Sequence, residues 1–407
     1  MASCRRVVVG LLLLALMVLA VPGASAAPIE HTAFDRTWAR TDMPLVTYQT
    51  SRTWMWGPVA ASALLTEPYA ESPGGQRLVQ YFDKSRMEIN DRNADRSSPW
   101  YVTNGLLASE LISGHMAVGD RAWLVRDPAV VNVAGDAEDP NGPTYATFST
   151  LLDASRTAGG APIVATLSRD GQVGVDPALA QWGATDAEWV EQTGHWVAGP
   201  FWMFMQSQGV VYKDGVYAQE PLFENPFYAT GYPISDAYWS QVLVGGVQQN
   251  VLMQCFERRC LTYTPLNAPE WQVEAGNIGL HYYTWRYGQA GETPTPARVS
   301  TGDLRIDYIL PDPSWEAGAE YEYALIRNYD EVTIHLEGWQ VRDESGTTFT
   351  FPDVALLPGA SLRLHVAKGL NTATDIYWGR TGAVWNNGGD SGYLIDPTGK
   401  IVAGYFY

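Results

Sequence analysis

The sequence predicts a two-part architecture: an α+β region over residues 27–288 that repeats itself internally, then an all-β sandwich over 303–407. Three observations predict it. A stretch rich in Gly, Thr and Pro with no apolar period separates the parts at 289–302. A short phrase recurs within the first part, and the second part alternates short strand-forming runs with turn residues. With 407 residues and 46% apolar composition, the chain has room for two or three domains that each bury a core.

In chain order, residues 1–26 read as a cleaved export signal: Arg5 and Arg6, an apolar run from Val7 to Val21, then Ala24-Ser25-Ala26. The run is shorter than the ~20 residues that span a bilayer, which predicts a secreted or cell-surface protein with no transmembrane anchor in the mature chain. Cys4 leaves with the signal. A formal net charge of −18 argues against nucleic acid and anionic membrane as partners. The two remaining cysteines, Cys255 and Cys260, would mature in an oxidising compartment, so a disulfide across a tight hairpin is expected. The competing use, metal binding, lacks a second ligand pair nearby.

Within 27–288, Val79-Gln-Tyr-Phe-Asp-Lys-Ser-Arg-Met87 is echoed by Met253-Gln-Cys-Phe-Glu-Arg-Arg-Cys-Leu261. Trp100-Tyr-Val-Thr-Asn-Gly105 follows the first and Trp271-Gln-Val-Glu-Ala-Gly276 the second, which predicts a duplicated hairpin-then-helix unit. Val251–Phe256 and Leu261–Thr264 read as a disulfide-closed hairpin, and Leu78–Phe82 with Met87–Ile89 as its unbridged counterpart. Apolar spacing predicts short helices over Gly105–Ile112 and Thr147–Ala154. In the second part, Leu304–Ile309, Tyr323–Arg327, Val332–Leu336, Ser361–Val366 and Gly392–Ile395 read as strands.

Seven motifs in order make residues 303–407 resemble the lamin tail domain, an immunoglobulin-like sandwich of nuclear lamins and many exported bacterial proteins. They are Leu304–Ile309, Tyr321-Glu-Tyr-Ala-Leu-Ile-Arg-Asn328, Leu336-Glu-Gly-Trp339, Arg342-Asp343, Phe349-Thr-Phe-Pro352, Leu357-Pro-Gly359 and Trp385-Asn-Asn-Gly-Gly-Asp390. One position departs from the pattern: Leu325 stands where an acid is common in the second strand. The resemblance implies an accessory or targeting module without catalytic activity. Residues 27–288 resemble an uncharacterised repeat region of large exported bacterial proteins, in which a phrase like Gly231-Tyr-Pro-Ile-Ser235 precedes a hairpin of this type. They are also loosely similar to LGFP-type repeats of envelope-associated proteins.

Signatures of nucleotide binding, zinc proteolysis and the serine-hydrolase elbow are absent from the sequence. The six histidines, at 31, 115, 195, 281, 335 and 365, include no pair three or four residues apart. His195, between Gly194 and Trp196, is the best single candidate for a functional histidine, although its Gly-His phrase reads as part of the repeat. Asp136, Glu138, Asp139 and Asn141 gather oxygen donors suited to calcium, but Pro140 and the lack of a twelfth-position acid favour a solvated turn, so no cofactor is required. The 16 Trp and 22 Tyr are either core or an exposed stacking surface; Trp54, Trp56 and Trp202 are the candidates for the latter.

The function class expected is therefore a non-catalytic envelope or extracellular protein that binds or scaffolds, with polysaccharide or protein as partner. The alternative is an extracellular hydrolase of polysaccharide or cell wall acting through 27–288, where abundant carboxylates cannot by themselves name a catalytic pair. A third reading makes the first part a spacer and the sandwich a self-association or display module.

Overall fold

A computed structural model describes residues 27–153, 159–288, 295–296, 303–311, 322–387 and 389–407. The export-signal reading of 1–26, and all of the 289–302 linker except 295–296, lie outside the described residues. Among those described, no helix is long and apolar enough to cross a membrane.

Among the described residues, four α-helices punctuate a strand-rich fold: α1 (Thr32–Val46), α2 (Leu107–Ser113), α3 (Gly199–Met205) and α4 (Ile278–Tyr287). The sequence reading placed no helix at α1. It starts because His31 accepts the Ala33 N–H through Nδ1 at 3.1 Å, and it buries Phe34, Trp38 and Ala39 on one face. Pro44 sits in its last turn, where the helix is already ending.

The first hairpin pairs Gln76–Phe82 with Ser85–Ile89, and the second pairs Val247–Cys255 with Cys260–Tyr263. Both are flanked by an incoming strand, Leu65–Pro68 or Tyr238–Val244, and by a short outgoing one, Thr103–Asn104 or Val273–Ala275. A buried glutamine occupies the same register in each. Gln80 donates through Nε2 to the carbonyls of Pro28 (2.8 Å) and Ser62 (3.0 Å) and accepts from Glu30 N (3.2 Å). Gln254 donates to the carbonyls of Trp196 (2.6 Å) and Ser235 (3.0 Å) and accepts from Ala198 N (3.0 Å). The next residue's N–H then meets a serine Oγ at 3.1 Å in both, Tyr81 to Ser62 and Cys255 to Ser235. A buried carboxamide must satisfy both its ends, and the matching frames of backbone carbonyl and N–H do so twice.

The hairpins also hold each other's helices. Gly279 N, at the start of α4, donates to Asp83 O in the first hairpin's turn (3.0 Å), while Ser109 N, at the start of α2, donates to Glu257 O in the second (3.1 Å). These bonds occupy first-turn donors that no intrahelical carbonyl can reach. The approach at α4 requires glycine, since a Cβ on Gly279 would lie 1.9 Å from Phe82 O. Tyr81 pairs across the first hairpin with Arg86; the equivalent cross-strand positions of the second are Cys255 and Cys260, whose sulfurs lie at disulfide distance, 2.03 Å.

The first hairpin belongs to a five-stranded sheet whose outer strand is 295–296, paired to Leu65 and Thr66. The second belongs to a six-stranded sheet in which Trp239 pairs in parallel with Thr166, followed by the edge strand Val173–Val175. A further hairpin, Gln208–Lys213 with Val216–Pro221, packs on α1 and buries Val211. The helix expected over 147–154 is a 3₁₀ turn, Ala146–Thr150. The side chain of Thr147 accepts from Thr144 N (2.9 Å) and donates to Arg169 O (2.8 Å), which anchors the start of the segment locally.

The described residues of 303–407 form two four-stranded sheets and a short ladder of Ile334–His335 with Ala355–Leu356, around one aliphatic core with Trp339 and Trp385. Leu304, Ile306, Leu362 and Leu364 point inward while Arg305 and Arg363 point out, the period-2 pattern of a half-buried strand. Asn328, last residue of the E-Y-x-x-x-x-N motif, donates from Nδ2 to Val332 O (2.8 Å) and Leu356 O (2.9 Å). That clasp shapes the loop that reaches the first part. Thr32 N donates to Glu331 O and Thr333 N to Glu30 O, both at 2.9 Å, and Val332 is buried in the core beneath α1. The strand expected over 332–336 is consequently only Ile334–His335, because 331–333 spend their backbone on the neighbouring part.

Candidate binding cavity

A cavity of about 640 Å³ opens beside α1. Helical spacing brings Asp35, Arg36, Ala39 and Arg40 to one wall. The opposite wall is Ser97–Trp100, a turn in which Ser98 Oγ accepts from Trp100 N (3.2 Å), and the tip of the 208–221 hairpin, where Asp214 (φ 50°) and Gly215 (φ 84°) turn the chain. Phe223 and Tyr228 complete the floor.

The floor is an aromatic cluster. Tyr228 stacks with Phe223 (centroids 5.9 Å apart) and lies 5.4 Å from Trp100. Trp56, wholly buried behind them, meets both Phe223 (6.0 Å) and Tyr228 (6.4 Å) edge-on. Tyr228 is fixed by its hydroxyl, which donates to Val102 O at 2.7 Å, and burial pushes that hydroxyl's pKa up to about 12. Trp100 remains 44% exposed, so its ring is available at the mouth. Arg258 sits over the Trp100 ring at 5.9 Å.

Charges ring the opening. Arg40 is held by Glu220 (3.1 Å) and the carbonyls of Pro221 and Leu222, and Arg36 donates to Arg96 O (3.1 Å). The carboxylates at the cavity are Asp35, Asp214 and Glu224, and burial raises the pKa of Asp35 above the ordinary aspartate range.

Of the residues singled out in the sequence, Trp56 lines this cavity, whereas Trp54 is half-buried outside it. Trp202, on α3, packs 5.6 Å from Phe227. His195 is buried on its strand with Nδ1 3.0 Å from Asp236 Oδ1. Asp136 accepts from the N–H groups of Gly245 (2.9 Å) and Gly246 (2.7 Å); Asp139 accepts from Asn141 (2.9 Å) and Leu243 (2.7 Å). These carboxylates clamp the 244–247 turn, while Glu138 points to solvent. Among the described residues, no three His, Cys, Asp or Glu side chains are grouped to hold a metal ion.

Sequence reasoning missed Trp100 and Tyr228 as site residues. Both lie in phrases that recur, Trp100–Gly105 as Trp271–Gly276 and Pro226-Phe-Tyr-Ala229 as Pro143-Thr-Tyr-Ala146, and so read as scaffold. It also missed a buried ionic cluster of Glu67, Glu88 and Glu110 with Arg77, Arg86 and Arg286. Burial alone would raise the Glu67 carboxyl, but Arg86, Arg286, Arg77 and the Tyr81 hydroxyl outweigh it and hold it down to about 2. For Glu110 burial wins and its pKa is raised. The signal available was charge at Arg86 and Glu88 inside an otherwise apolar strand.

Compared with known proteins, the chain matches no curated protein. A family model, Lamin Tail Domain, matches residues 297–407. The two-sheet sandwich, its motif asparagine and its sequence match agree, and the C-terminal part of the chain carries a lamin tail domain.

Proposed function

We propose that the chain is an exported bacterial protein of the envelope or extracellular space, in which a duplicated hairpin-and-helix body, 27–288, binds a glycan and the lamin tail domain serves as accessory module. The carrying observation is the aromatic-floored cavity beside α1, whose 640 Å³ lies within the range of small-ligand sites. Trp100 and the half-buried Phe223 offer faces for sugar rings with Tyr228 packed behind them, and the planar groups of Arg36, Asp35 and Glu224 offer hydrogen bonds at the rim. The cysteine pair 255/260, a disulfide in such a compartment, pins the second hairpin.

The test incubates the full chain with insoluble cell-envelope and polysaccharide preparations, following protein lost from solution and soluble sugar ends released. Depletion without release supports a binding protein. The alternative, a hydrolase, is favoured by one observation, the Asp35 carboxyl with raised proton affinity in a cavity shared with Asp214 and Glu224. Release of ends that Asp35→Asn abolishes would establish that alternative.

A further inference from the structure

A second concave surface lies on the six-stranded sheet, far in chain position from α1. Gln241 stands directly across from Asn250, and Gln248, two residues before Asn250, projects from the same face. Two residues along a strand span ~6.6 Å, so three carboxamides form a short row on a rigid support. Thr166, paired to Trp239, continues the face, and Gly174 keeps it open, since a Cβ there would sit 2.8 Å from Thr166 Oγ1. The turn 168–172 forms one wall, and the enclosed volume is about 740 Å³.

The hydrogen-bonding groups of this groove divide into two sets. Charged side chains stand at its edge and bond to neutral groups of the chain. Arg169 donates to Asn132 Oδ1 and to Gly142 O, both at 2.6 Å, Asp176 accepts from Ala178 N (3.0 Å) and Asp170 from Ser168 Oγ (2.5 Å). Among the described residues, the amides of Gln241, Gln248 and Asn250 have no hydrogen-bond partner in the chain. The groove therefore offers neutral donors and acceptors in fixed pairs.

We propose that this amide-lined face is a second binding site, specific for an uncharged glycan segment. A carboxamide presents a donor and an acceptor in one plane, which matches the hydroxyls of a sugar ring, and a floor whose side chains are neutral places no counter-charge against a ligand lying on the sheet face. A peptide strand would instead add to the outer backbone edge of Val173–Val175, not to the sheet face. Two separate glycan contacts on one chain raise retention on a polymer beyond either alone. The inference rests on the glycan reading above but uses residues remote from the α1 cavity.

The experiment measures retention of the full chain on insoluble cellulose and on starch granules, with an insoluble polyuronate as charged control. Three proteins are compared: the natural sequence, the double variant Gln241→Leu/Asn250→Leu, and Trp100→Ala. The double variant is expected to lose about tenfold in apparent affinity for a neutral polymer, the loss of one or two hydrogen bonds. The exchange Gln241→Asn/Asn250→Gln, which keeps the amides, is expected to retain most binding. If the double variant binds as the natural sequence does while Trp100→Ala fails, the amide face is overturned and the cavity reading stands. If the double variant fails and Trp100→Ala binds, the reverse holds. Retention of neither neutral polymer by the natural sequence, or retention on the polyuronate alone, overturns this proposal.

Discussion

The body and the lamin tail domain solve the same burial problem with different materials. The sandwich core is Leu, Ile and Val on alternating strand positions with two tryptophans; among the described residues its buried carboxylates, Glu322, Asp343, Asp390 and Asp396, stand singly, and the pKa shifts resolved in it on aspartates, at Asp303, Asp375 and Asp396, are downward and arise from side-chain hydrogen bonds. The body buries a cluster of three arginines and three glutamates between its hairpins and helices, together with Arg259, Asp42 and His31, and half-buries His281. Aliphatic packing tolerates changes of pH and salt. A buried ionic cluster depends on every partner being present and correctly protonated. The body is therefore the part whose stability responds to single substitutions and to acid.

The largest expected effect comes from Arg86→Met, which leaves Glu67, Glu88 and Glu110 without their shared partner. Breaking a buried pair from one side costs ~3–5 kcal/mol, enough to unfold the body while the sandwich stays folded. Denaturant unfolding followed by amide exchange in each part measures it, and a body unchanged by the substitution would remove the contrast between the two parts.

Acidification comes next. Burial lowers His31 to about 3, helped by Arg96, Arg92 and Arg36, and lowers His281 to about 4. Each is neutral when folded and takes its proton more readily when unfolded, so its stabilisation is complete above pH 6.5 and is lost as pH falls toward those values. Glu67, held down to about 2, adds a loss below pH 4.5. Asp42 opposes them: burial, against three backbone N–H bonds, raises it to about 6, so it regains stability as pH falls from 6 toward 4. The two histidine shifts together exceed it. Asp35, Asp83, Glu110 and Glu274, also raised by burial, offset part of the loss, so the body should lose stability between pH 6.5 and 3.5 by less than the roughly 1.4 kcal/mol per pKa unit that the histidine shifts alone would give. His281→Gln should flatten that limb, and the sandwich transition should barely move.

A finer comparison sets the two hairpins against each other. Gln80→Ala and Gln254→Ala remove matching contacts and should cost similar amounts, about 1–3 kcal/mol each. A large inequality in urea midpoints would show that the shared frame is geometric without being energetic. Replacing both Cys255 and Cys260 with serine should cost ~2 kcal/mol on a loop-entropy basis, since the closed loop is short.

The sandwich was legible in the sequence because strand alternation and turn residues are local: Leu304, Ile306 and Arg305 declare their faces without reference to anything distant. Its one irregularity, the short strand at Ile334–His335, arises because Glu331 and Thr333 bond to the body, a contact that no local pattern encodes. In the body the hairpins could be read from the Gln-x-Phe echo, but α1 could not. Its start depends on the His31 side chain, and its polar face pairs through Arg40 with Glu220, 180 residues away. The cavity was illegible for the same reason: Asp35, Trp100, Asp214 and Tyr228 converge only after the second half of the body has packed on the first.

The most direct test of the account is equilibrium depletion of the full chain and of Trp100→Ala on the same insoluble glycans. Trp100 is 44% exposed but packs against Tyr228 and Arg258, so the substitution should cost about 1–2 kcal/mol, which circular dichroism of the variant can show to leave the fold intact. The account predicts that the natural sequence is retained and that Trp100→Ala, still folded, binds a cavity-dependent glycan about tenfold more weakly, as expected for a lost aromatic stacking contact. Equal retention of both proteins on every glycan, or retention of neither, would contradict it.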